Sequence, residues 1–122
     1  MHGAVQESET SLKIIYDNAV QKYSDTYEEV LWAVADDNLL RRQMTDIFDK
    51  SYERIMDERI GRTKLSKKTF YQRIYSLTTP RHGEVLIPRG NGWYEFRENI
   101  VRGYVRLRAA KEGLALGREG FA

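Results

Sequence analysis

At Pro80 the hydrophobic period of this chain changes, and few folds accommodate that change. Upstream, apolar residues recur at the three-to-four spacing of a helix face; downstream they alternate around a glycine-rich turn, as strands do. The 122 residues therefore read as several helices, one hairpin and a closing helix within one ordinary domain.

The helices can be placed in turn. From Ser8 to Tyr23, the set Leu12, Ile15, Tyr16, Ala19, Val20 and Tyr23 predicts an amphipathic helix, and residues 1–24 are assigned to linking or self-association. A second helix starts near Ser24 or Asp25, buries Tyr27, Val30, Leu31, Val34 and Ala35, and breaks at Asp36, Asp37 and Asn38. A third is predicted from Leu39 to Arg59, with Leu40, Met44, Ile47, Phe48, Ile55 and Met56 inward and Gly61 permitting a left-handed cap. The fourth, Ser66 to Thr78, has Ser66 as its N-cap and Leu65 positioned to staple onto Phe70.

That fourth helix anchors through Phe70, Ile74 and Leu77, which share one face. The opposite face carries Lys68, Gln72, Tyr75 and Ser76, flanked by Tyr71 and Arg73, with Lys67 near the N-terminus. Long donors and phenols in this arrangement suit base edges and phosphates.

After Pro80, Glu84 to Pro88 and Trp93 to Arg97 read as strands, and Arg89, Gly90, Asn91 and Gly92 supply the turn. Val85 and Ile87 fall on one side of the first strand; Trp93 and Glu95 oppose Tyr94 and Phe96 on the second. A final helix from Glu98 to Lys111 is expected to bury Ile100, Val101, Tyr104, Val105 and Leu107, with Arg102, Arg106 and Arg108 outward. Gly113 to Ala122 is expected to be a frayed tail.

Charge is segregated along the chain. Residues 1–60 hold seven bases against thirteen acids; residues 61–83 hold six bases and no acid, namely Arg62, Lys64, Lys67, Lys68, Arg73 and Arg81. Such a block faces solvent or an anionic partner. The absence of cysteine excludes disulfides and thiolate chemistry, and apolar runs of a few residues predict neither a membrane span nor an export signal, so a cytoplasmic location is expected.

The order helix, helix, helix, hairpin, helix over residues 25–112 resembles the winged helix-turn-helix, an α+β fold that is mainly helical, here with extra N- and C-terminal helices. The stretch Gly92-Trp-Tyr-Glu-Phe-Arg-Glu-Asn-Ile-Val-Arg-Gly-Tyr-Val-Arg-Leu-Arg108 more specifically resembles the end of winged helices that follow P-loop cores in AAA+ and STAND ATPases. There a tyrosine-containing wing strand runs into a helix of the type Asp-Pro-x-x-Arg-x-Tyr-x-Arg-Leu, with Glu98 and Asn99 standing here in place of Asp-Pro. The resemblance implies a domain that binds DNA or rests on an ATPase core. The chain itself has no Gly-x-x-x-x-Gly-Lys-[Ser/Thr] loop.

Catalysis is not expected: imidazole is confined to His2 and His82, far from any second ligand at metal spacing, and no cofactor is implied. The acids Asp36, Asp37, Asp46, Asp49, Glu53 and Asp57 suit a metal less well than a solvated face, since Lys50 and Arg54 interleave with them. Two functions follow. In the first, double-stranded DNA is bound by Lys64, Lys67, Lys68, Tyr71, Gln72, Arg73, Tyr75 and Ser76, with Arg81, His82 and Arg89 on the flanks. In the second, the acidic helices or the N-terminal helix dock on an ATPase core or on a second copy.

Overall fold

The computed structural model describes residues 10–21 and 24–117. The predicted start at Ser8, Tyr23 and the tail from Arg118 to Ala122 lie outside the described residues. Helix α1 covers residues 10–21, its last part Asp17–Gln21 wound as a π-helix; α2 is Thr26–Val34. Strand β1, Arg42–Gln43, leads into α3, which runs through Met44–Asp46, a π-helical Ile47–Tyr52 and Glu53–Glu58. Then come α4, Lys67–Ser76, a 3-10 turn at Pro80–His82, β2, Leu86–Pro88, β3, Trp93–Phe96, and α5, Asn99–Lys111.

The strands form an antiparallel sheet in the order β1-β3-β2, with Leu86 opposite Phe96 and Arg42 opposite Tyr94. This is a winged helix-turn-helix, mainly helical with a small sheet. The sheet has one strand more than the hairpin predicted from sequence. Leu39 to Gln43 is not helical: Asp37 accepts the Leu39 amide in a local turn, and Gln43 pairs with Trp93 before its carboxamide oxygen caps α3 by accepting the Thr45 amide at 2.8 Å. Leu40, expected inward, is 53% exposed. Residue 92 is glycine because φ there is +83°, a left-handed conformation that side chains rarely adopt; a Cβ would also press on the movable Gln43 side chain, 2.8 Å from its Nε2.

Helix α2 lies at the centre of the core. Val30 to Ala35 are all buried, surrounded by Ile47 and Ile55 of α3, Phe70 and Ile74 of α4, and Val101 and Val105 of α5. Its C-terminal carbonyls consequently end away from water and need internal donors. Arginines supply them. Arg42 donates to the Ala33 carbonyl at 3.1 Å and to Ser51 Oγ at 3.0 Å. Arg106 donates from Nε to Ala35 O at 2.7 Å and also reaches the Asp37 carbonyl, while Arg102 donates to the carbonyls of Asp37 and Leu39 at 3.3 and 3.2 Å.

That arrangement corrects the reading of α5. Arg102, Arg106 and Arg108 do not face outward; all three are half-buried, and Arg108 stacks over the Tyr16 ring at 4.4 Å. The inward line is Val101, Val105 and Ala109, whereas Ile100 and Leu107, predicted as core, are 60% and 51% exposed. The motif residues thus hold α5 in place, Arg106 at the C-cap of α2 and Arg102 at the loop after it.

The apolar stripe of α1 folds back on its own domain. Tyr16, Ala19 and Val20 are buried, and Tyr16 OH accepts from Trp32 Nε1 at 2.9 Å while donating to Glu28 at 2.6 Å. Burial and the Glu28 carboxylate push the Tyr16 phenol far above its ordinary value, so it stays neutral and keeps donating. Zipping two chains through this stripe would require prising it off. The start of the expected tail is also held: Leu114 is buried and the Gly117 amide donates to Asp36 at 3.1 Å.

Candidate nucleic-acid interface

The orientation of α4 is fixed from both ends of its sequence logic. Ser66 Oγ accepts the Thr69 amide at 3.2 Å, as an N-cap should, and Tyr52 OH accepts the Leu65 amide at 2.9 Å, fixing the approach. Phe70, Ile74 and Leu77 are fully buried, with Phe70 in ring contact with Phe48 and Tyr52 at 5.1 and 4.6 Å. Anchoring by this face leaves the other in water. Lys67, Lys68, Tyr71, Gln72, Tyr75 and Ser76 line a shallow open groove of about 710 Å³, and no other element contributes to its lining.

Within that groove Lys68, Gln72 and Tyr75 are exposed, Tyr75 by 65%, and Tyr71 and Ser76 are half-buried. Among the described residues Lys68 makes no ion pair. Burial, and secondarily the charge of the Tyr75 phenol, raise the Tyr94 hydroxyl above its ordinary value.

Other cations of the basic block are engaged by acids from the first half of the chain. Arg62 donates to Asp25 at 2.9 Å and to the buried Glu29 at 2.9 Å, which holds Asp25 below the usual carboxylate range. Lys64 pairs with Glu53, and Lys67 lies 3.6 Å from Asp49. Both lysines also sit over the Phe48 ring, at 5.8 and 5.5 Å. The acid excess before Ile60 and the base excess after it partly cancel across the α3–α4 contact.

Two predicted contacts point inward. Arg73 donates from Nε to Thr26 Oγ1 at 3.1 Å and stacks over Tyr27 at 4.9 Å, so it ties α4 to α2. His82 is buried, its Nδ1 2.6 Å from the Ala19 carbonyl and its ring against Tyr27 at 4.5 Å. It fastens the 3-10 turn to α1. Arg81, next to it, is exposed.

At the wing, Arg89 is exposed at the turn but donates to Glu95 at 3.0 Å, and Arg41 donates to the same carboxylate at 2.9 Å. Arg89, and secondarily Arg41, hold the Glu95 carboxyl below its usual range. Arg41 and the exposed Trp93 extend this surface without a clear signal in the sequence, Arg41 because the helical period runs through its segment. An alternating run beginning at Trp93 gave the one available hint, since a strand residue opposite the buried Phe96 side is left outward.

Among the described residues no three His, Asp or Glu side chains converge as a metal set, and no helix is long and apolar enough to cross a membrane. Compared with known protein families, curated proteins and solved structures, the chain matches none.

Proposed function

We propose that this chain is a DNA-binding winged-helix module that lays α4 in the major groove and its wing along the flanking backbone. The observation that carries this reading is the open outer face of α4, with Lys68, Gln72 and Tyr75 in water. Gln72 offers a donor and an acceptor on one planar group, suited to adenine; Lys68 and Tyr75 suit phosphate or base edges. Lys64, Lys67 and Arg89 contribute by exchanging exposed carboxylates for phosphate. Exposed pairs of this kind are worth roughly 0–1 kcal/mol, a small cost beside the counterions a phosphate contact releases.

Four such contacts give micromolar or weaker affinity for duplex DNA and a log-log salt slope of about −3.6. A labelled duplex titrated at two salt concentrations tests this. Absence of binding at low salt, or affinity untouched by Lys68→Ala combined with Gln72→Ala, overturns it.

The link to ATPase-borne winged helices belongs to the same proposal and is carried by the α5 motif. Its residue Arg106 binds the C-cap carbonyl of α2 and Arg102 the loop that follows, so the motif accounts for how the closing helix is seated. In this reading the domain is a relative, or the C-terminal part, of such an ATPase.

A further inference from the structure

Between α1 and α5 runs a second open groove, about 1030 Å³, which shares no residue with the α4 face. Its floor is Leu12, Ile100, Gly103, Tyr104 and Leu107. Ile100 and Leu107 are among the large apolar side chains left in water, and with Gly103 and Tyr104 they fall at i, i+3, i+4 and i+7, the spacing by which one helix receives another.

Gly103 is the second observation. Glycine is the weakest helix former after proline, yet here it occupies the interior of a thirteen-residue helix. Among the described residues nothing requires it: its φ is ordinary, and an added methyl would meet none of their atoms within 4 Å. A bare backbone at the centre of an exposed apolar face is what a partner helix needs in order to approach closely.

Charge selects the partner. Lys13, Arg108 and Lys111 border the groove; Asp17 serves Lys13 at 2.7 Å and Arg108 at 3.9 Å, Lys111 has no ion pair among the described residues, and the acid Glu112 lies 3.9 Å from Arg59. The rim is net positive. A second copy would bring an identical basic rim against it. We infer that the α1–α5 groove docks an amphipathic helix of another protein, one whose apolar stripe is flanked by acidic residues, with its backbone passing over Gly103.

The test uses the full chain and two stapled helical peptides of about four turns, each with leucines at i, i+3, i+4 and i+7, one flanked by glutamates and one by lysines. Fluorescence anisotropy should show the glutamate peptide binding at least about tenfold tighter, and Leu107→Glu should abolish that binding without changing duplex DNA affinity. Gly103→Ala should raise the melting temperature by about 4 °C while weakening the peptide at least about threefold. This divergence keeps the test decisive, because the variant is the more stable protein. Equal affinity for both peptides overturns the inference, as does a Gly103→Ala variant that binds undiminished. Sedimentation of the wild type as a dimer that Leu107→Glu dissociates would assign the groove to a second copy instead.

Discussion

Helices α4 and α5 are both rich in bases, but water receives Lys68 of α4 while the chain's own carbonyls and rings receive Arg102, Arg106 and Arg108 of α5. The difference comes from what lies beside each helix. Next to α5 are the buried C-cap of α2 and the loop after it, whose carbonyls turn toward α5 and take its arginines as donors. A planar guanidinium with several donors can serve two or three such oxygens at once. Beside the outer face of α4 there is no comparable demand. Basic residues therefore mark a binding surface only where the fold has no internal use for them.

Breaking the internal set should be costly. The largest effect is expected at Glu29, a buried carboxylate that accepts from Arg59 at 3.0 Å and Arg62 at 2.9 Å. Glu29→Ala leaves those cations without their shared partner, and urea unfolding should show a loss of about 3 kcal/mol or more. Next comes Arg106→Ala, expected to cost about 2 kcal/mol through the stranded α2 carbonyls, against about 0.5 kcal/mol or less for Lys68→Ala. A Lys68→Ala variant as damaged as Arg106→Ala would erase the contrast between the helices.

The smallest effect concerns pH. Because Arg89 holds the folded Glu95 carboxyl below its ordinary 4.5, its contribution to stability is present above that value and is lost as pH falls through the depressed one. Glu95→Gln should flatten this part of the acid limb in melting curves recorded below about pH 5, leaving neutral pH little changed. An acid limb identical in both proteins would remove the wing clamp from the account.

Much of this could be read in the sequence because the signals were local. Ser66 capped α4, Phe70, Ile74 and Leu77 faced the core, and the turn at Arg89 to Gly92 separated two strands. Long-range demands were not legible. Strand β1 is two residues long and exists because β3 offers it an edge, so Leu39 to Gln43 looked helical by period alone. The arginines of α5 read as outward because nothing in their own segment discloses the carbonyls of Ala35, Asp37 and Leu39. His82 seemed a loop residue for the same reason: its acceptor, Ala19 O, is 63 positions away.

The candidate surface was legible in part. Lys68, Gln72 and Tyr75 are exposed where periodicity put them, since a helix with one anchored face must present the other. Arg73, one position from Gln72, lies on the boundary between faces, and Tyr27 draws it inward. Arg41 joins the surface only through the wing.

The most direct trial of the contrast is a duplex titration at low salt with three proteins: wild type, Lys68→Glu and Arg106→Gln. The α4 reading predicts that Lys68→Glu weakens binding by at least about tenfold with an unchanged melting temperature, and that Arg106→Gln lowers the melting temperature with affinity retained below it. Equal affinity for wild type and Lys68→Glu would contradict it.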